Sequence, residues 1–137
     1  MTSSLRQVLL IDDEPVQLKT RGLILRGAGF EICIATTAES ALALLRSPMR
    51  ANIGVIVTDH ILPGASGAVF VRELRRANAE VPVIVITGLP EAETEYAELN
   101  VIFRQKPLYP EELISLVRAA VHSEVLSPAL YALKRQG

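Results

Sequence analysis

Short runs of branched apolar residues recur at 7–12, 30–35, 53–59, 82–87 and 101–105, and they constrain the fold more than any other feature of this chain. They are rich in Val and Ile and predominantly apolar, the pattern of strands buried on both faces of a parallel sheet. Segments with helical spacing fill the gaps. Alternation of this kind predicts an α/β fold: a doubly wound, five-stranded parallel sheet with right-handed crossovers.

The helix signals are local. Pro15 suits a first helical turn, and Gly27-Ala-Gly29 stops that helix. Thr36 with Glu39 three residues on reads as a capping box leading into Ala41, Leu42 and Leu45. A third helix is expected over 68–79, with Val71 and Leu74 inward and Arg72, Arg75 and Arg76 on a solvated face. A fourth, over 91–99, is short and acidic. The fifth opens at Pro110 and lines up Leu113, Leu116, Val117, Ala120 and Val121. Residues 123–137 read as an additional short helix, too small for a second domain. The chain therefore divides into a domain over 1–122 and a C-terminal helical extension.

The apolar runs end on polar residues. Asp12-Asp13, Asp59, Thr87 and Lys106 each stand at the C-terminal end of a run. In an open parallel sheet those ends line the ligand crevice. Three carboxylates, a hydroxyl and an ammonium are thus expected in one place. Taken alone, Asp12-Asp13 would serve equally well at a helix start, and Thr87 would be an ordinary β-branched strand residue. Asp59 changes the balance, because a buried carboxylate cluster is costly unless a metal or a Lys neutralises it. Lys106 is placed to do so, with Pro107 fixing the turn after it. A hard, oxygen-rich donor set suits Mg2+.

Half of the residues are hydrophobic and 21% are charged, an ordinary globular balance. A net charge of −1 leaves no electrostatic footprint for nucleic acid. No apolar run approaches the roughly 20 residues that span a bilayer, and no signal-peptide pattern opens the chain. The single cysteine, Cys33, excludes an internal disulfide and fits a reducing compartment. A soluble cytoplasmic protein without nucleic-acid or membrane partners is expected.

In this order and spacing, Asp12-Asp13, Asp59-His-Ile-Leu-Pro63-Gly-Ala-Ser-Gly67, Thr87-Gly88 and Lys106-Pro107 resemble the receiver domain of two-component response regulators, over about residues 7–122. The resemblance implies the flavodoxin-like strand order 2-1-3-4-5, with the ligand at the switch point between the first and third strands. It implies that Asp59 accepts a phosphoryl group from a histidine kinase or histidine phosphotransfer protein. Asp12, Asp13, Asp59 and the backbone carbonyl of Ile61 would hold Mg2+, and Thr87 and Lys106 would contact the phosphoryl oxygens. Phe103 matches the aromatic position that reorients on activation, so that Thr87 and Phe103 form the switch. Such a module catalyses only its own phosphorylation and dephosphorylation and switches protein–protein contacts; its downstream partner and any homodimer stay open. The residues suit that chemistry, since a carboxylate is already an ionised nucleophile at neutral pH and Mg2+ with Lys106 neutralises the transferring group.

Three departures from the family pattern stand out. Leu62 replaces the usual methionine, Leu99-Asn100 replaces the usual Gly-Ala, and the stretch from Thr87 to Lys106 is short at the expense of helix 4. The last predicts an atypical output face. A small Mg2+-dependent phosphohydrolase with an aspartyl nucleophile is the competing function, and a scaffold with dead chemistry is a third. His60 and His122 are assigned ordinary roles. Leu18, Gly22 and Leu25 form a stripe on the first helix, opposite Val16, Leu23 and Gly27, and either docking or two-sided burial would account for it.

Overall fold

The computed structural model describes residues 7–77 and 80–123. The chain runs through β1 (Gln7–Ile11), α1 (Pro15–Gly27), β2 (Glu31–Ala35), α2 (Ala38–Leu45), β3 (Ile53–Thr58), a small ribbon of β4 (Ile61–Leu62) and β5 (Ala65–Ser66), α3 (Gly67–Arg76), β6 (Val83–Thr87), β7 (Ile102–Gln105) and α4 (Pro110–Ser123). The main sheet is parallel, in the order β2-β1-β3-β6-β7. Counting its strands alone, this is the doubly wound order 2-1-3-4-5. The expected extension over 123–137 lies outside the described residues apart from the end of α4, as do positions 78 and 79 of the expected third helix.

Side chains alternate across each strand, and the two resulting faces have separate cores. Leu9, Ile11, Ile56, Val83 and Val85 face one layer, closed by Ala41 and Leu45 of α2 and Phe70, Val71 and Leu74 of α3. Val8, Leu10, Val55, Val57, Ile84 and Ile86 face the other, closed by Leu18 and Leu25 of α1 and Leu113, Val117 and Ala120 of α4. Each fully buried Leu, Ile or Val stabilises the fold by about 1.5–3 kcal/mol. Central strands β3 and β6 are buried throughout, whereas edge strands β2 and β7 are partly open. Double-sided burial therefore holds for the middle of the sheet and fails at its edges.

Several local expectations are corrected. The α2 cap is Thr37, not Thr36, and its box closes on Ser40 rather than Glu39: Thr37 Oγ1 accepts from the Ser40 N–H at 3.0 Å, and Ser40 Oγ accepts from the Thr37 N–H at 3.3 Å. The helix starts one residue late, and the short serine hydroxyl reaches back at that spacing. The Leu18, Gly22 and Leu25 stripe of α1 is buried, while Val16 (69% exposed) and Leu23 (61%) face outward.

The expected helix over 91–99 is a 3-10 segment, Pro90–Tyr96, with no side-chain cap at Leu89. The chain then turns through Glu98 (φ 66°) and Asn100 (φ 58°) to enter β7. Left-handed backbone costs a non-glycine residue roughly 1–2 kcal/mol, less for Asn. Arg75, expected on a solvated face, holds this turn. Its guanidinium donates to the carbonyls of Leu99 (2.9 Å), Asn100 (3.0 Å) and Val81 (2.8 Å). Arg72 and Arg76 are exposed as expected.

Candidate functional site

Strand register assembles the site. Ile11 pairs with Thr58, so Asp12 and Asp59 emerge side by side at the carboxyl edge of β1 and β3. Thr87 pairs with Gln105, and the Lys106 N–H donates to the Thr87 carbonyl at 2.8 Å. The polar ends of four strands thus meet at one edge.

Asp59 is held at both carboxylate oxygens. Lys106 Nζ lies 3.0 Å from Oδ2, and the His60 N–H donates to Oδ1 at 2.6 Å. Its side chain keeps 13% exposure, enough to be reached from solvent. Asp12 is buried and likewise engaged twice: Oδ1 accepts the Glu14 N–H at 3.0 Å, and Arg21 Nη1 lies 3.4 Å from Oδ2. The α1 cap is Glu14, whose Oε1 accepts the Gln17 N–H. Asp12 is therefore not spent as a helix cap. Burial pushes the Asp12 carboxyl above its ordinary pKa and the Asp59 charge adds to this, against the pull of the Glu14 N–H, Arg21 and Lys106. Asp13 is exposed and has no hydrogen-bond or ion-pair partner among the described residues.

Thr87 is buried, with its Oγ1 accepting the Leu89 N–H at 3.3 Å. Ile61 opens the β4–β5 ribbon, whose Pro63-Gly64 turn needs glycine because Gly64 has φ 77°. Phe103 pairs with Val85 across β6 and β7 and so shares a sheet face with Thr87, two pairs further along.

Sequence reasoning missed two residues. Arg21 sits on the buried side of α1, where its only local signal was a position between Leu18 and Leu25 on the inward stripe. Tyr96 is buried within the 3-10 segment, and its hydroxyl lies 2.7 Å from His60 Nδ1. Its ring meets His60 edge-on at 5.6 Å and Phe103 at 5.8 Å. Burial, then the charges of Glu95 and Asp59, push the Tyr96 phenol far above its ordinary pKa. It stays protonated and shares a hydrogen bond with Nδ1, while His60 Nε2 lies 3.5 Å from Glu95 Oε2. The structure gives His60 a structural contact rather than a place in the crevice.

Among the described residues, no three His, Cys, Asp or Glu side chains converge tightly enough to hold a metal by themselves. Mg2+ asks for less: one or two carboxylates, completed by carbonyls, waters and substrate oxygens. Unpartnered Asp13, together with Asp12 and Asp59, whose charges repel one another, fits that demand.

A parallel sheet carrying acidic residues and a lysine at its carboxyl edge defines a class, and the sequence matches it: the response regulator receiver domain model covers residues 8–118. The chain belongs to this family, the receiver domains of two-component systems, a signalling module. It is 34% identical to the probable transcriptional regulatory protein TcrX of Mycobacterium tuberculosis, over 82% of this chain and 48% of that protein. It is 28% identical to the DNA-binding response regulator MtrA of Mycolicibacterium smegmatis, over 94% of this chain and 56% of that protein. The chain spans about half the length of these curated relatives. Among solved structures, the receiver domain of Francisella response regulator 1452 superposes with a TM-score of 0.79 at 25% identity, covering 87% of this chain and 98% of that one. Chemotaxis response regulator CheY4 of Vibrio cholerae gives 0.74 at 26%, covering 85% and 98%.

Proposed function

We propose that this chain is a Mg2+-dependent phosphoacceptor switch, modified on Asp59 by a histidine kinase or histidine phosphotransfer protein of a cytoplasmic two-component pathway. The receiver would occupy 1–122, with 123–137 as a separate extension. The observation that carries the reading is the Lys106 ammonium 3.0 Å from Asp59 Oδ2, in a crevice that Asp12 shares.

An Asp59 oxygen attacks phosphorus in line, the bond to the donor atom breaks, and that atom leaves with the electron pair. Lys106 would follow the charge onto the phosphoryl oxygens, and the buried Thr87 hydroxyl would turn from the Leu89 N–H to donate to one of them. Asp12, Asp13, Asp59 and the Ile61 carbonyl would hold Mg2+, which supplies charge neutralisation at the transferring group. The modified protein then contacts its downstream protein partner differently. A hydrolase reading would require continued turnover of the donor.

Incubation with acetyl phosphate and Mg2+ tests this. Intact mass should rise by one phosphoryl group per chain, and Asp59→Asn should abolish the gain. Undiminished labelling of the Asn variant, or donor hydrolysis that continues in it, would overturn the assignment.

A further inference from the structure

The crevice contains a cation that the phosphoacceptor reading does not use. Lys106 serves Asp59, whereas Arg21 reaches from the middle of α1 to Asp12. Arginine is almost never fully buried unless paired, yet the side chains of Arg21 and Asp12 are 9% and 2% exposed. Asp12 is the one hydrogen-bonding and ion-pairing partner of Arg21 among the described residues. Stripping water from both charges is expensive and is offset only by a well-placed counter-charge. Asp12 and Asp59 thus face two fixed cations, Arg21 and Lys106, so the negative charge left over to attract a divalent ion is that of the exposed Asp13. With one Asp12 oxygen on the Glu14 N–H and the other on Arg21, Asp13 is the unencumbered carboxylate.

We propose that Arg21 is the resident counter-ion of Asp12: it stands in for metal charge in the metal-free protein and weakens Mg2+ binding once the metal is offered. Arg21 is a positioning residue, acting through Asp12. This rests on the reading of the crevice as a Mg2+ site. Its consequence is a receiver whose metal-free state stays assembled and whose loading follows the Mg2+ concentration.

Titration calorimetry with Mg2+, and Mn2+ titration followed by paramagnetic resonance, test it without any phosphorylation. Arg21→Met keeps an apolar stem and removes the charge. A unit charge a few ångströms from a divalent ion changes binding by at least about tenfold even when well screened, so the Met variant should bind that much more tightly. Its metal-free form should melt earlier, and added Mg2+ should raise its melting temperature more than that of wild type. Arg21→Lys should return affinity toward wild type, while Arg21→Gln, polar but neutral, should follow Met. A neutral variant that folds only when Mg2+ is present supports the proposal; one that stays unfolded with Mg2+ counts against it. Unchanged or weaker Mg2+ affinity in Arg21→Met and Arg21→Gln, alongside normal labelling of Asp59, overturns the Arg21 assignment alone. Absence of Mg2+ binding in wild type and every variant overturns both it and the metal-site reading.

Discussion

Gly67 is the tightest point beside the crevice, and replacing it by alanine tests whether the site's geometry is as close as it looks. A Cβ there would stand 2.5 Å from the Tyr96 hydroxyl, 2.8 Å from the Asp59 carbonyl oxygen and 3.1 Å from the His60 Cα. Two of these neighbours are backbone. The start of α3 cannot slide away freely, because the Gly67 N–H donates to the His60 carbonyl at 2.6 Å. The tyrosine can retreat only by releasing His60 Nδ1. Overpacking of this kind costs about 1–3 kcal/mol, offset by up to about 1 kcal/mol of better helix propensity. A net loss near 1–2 kcal/mol lowers the melting temperature of a domain this size by roughly 4–10 °C. Thermal denaturation should register that loss, and labelling by acetyl phosphate should slow several-fold as the Asp59 backbone shifts. Gly27→Ala is the control: it ends α1 with nothing within 4 Å of the added carbon, so it should be neutral or stabilise by up to about 1 kcal/mol. In the Gly67→Ala/Tyr96→Phe double variant the hydroxyl clash is gone and the carbonyl clash remains, so the cost should fall below the sum of the single changes. A Gly67→Ala protein that melts and labels like wild type would refute the argument.

Tyr96 predicts an alkaline limit. Its phenol is held protonated in the fold while the unfolded chain ionises near pH 10, so its contribution is complete below about pH 10 and is lost as pH rises further; melting temperatures between pH 8 and 11 should fall less steeply in Tyr96→Phe. Ile61 (61% exposed) and Leu89 (36%) flank the crevice with apolar side chains that cannot orient a hydrolytic water. Asp59 phosphate should therefore be long-lived, and Ile61→Asn or Leu89→Glu should shorten its decay; unchanged rates in both variants would remove the basis for this expectation. For the readout, beryllofluoride should shift NMR resonances from Thr87 through Tyr96 and Phe103 into β7 and α4. Shifts confined to Asp59 and its neighbours would rule that route out.

The strands and the polar edge of the sheet were legible because they rest on local chemistry, whereas the strand order followed from the family resemblance. A run such as Ile53–Thr58 can be buried on both sides in few ways, and a carboxylate directly after it must stand at the strand end. The residues that escaped notice depend on partners remote in sequence. Arg75 reads as solvated until Val81, Leu99 and Asn100 bring their carbonyls to it. Tyr96 meets His60 across 36 positions of chain, and no spacing rule reports such a contact. Arg21 shows the limit of patterning by type, since a charged residue on an inward stripe is explained only when its counter-charge is found. The short fourth helix was anticipated as short, but its conversion to a 3-10 segment followed from the missing cap at Leu89 and the left-handed residues at its exit.

That segment is also a place where the described part of the molecule can open locally. Its i→i+3 hydrogen bonds have poorer geometry than those of an α-helix, and it is pinned near its two ends, by the Leu89 N–H on Thr87 and by Arg75 on Leu99 and Asn100. Regions of this kind lie at the low end of the spectrum of local unfolding free energies. Among the α-helices, strands and 3-10 turns of the described residues, hydrogen exchange should therefore be fast in the tether between the two pins. The protein can remodel one face at little cost while the strands that carry Asp12 and Asp59 remain zipped together.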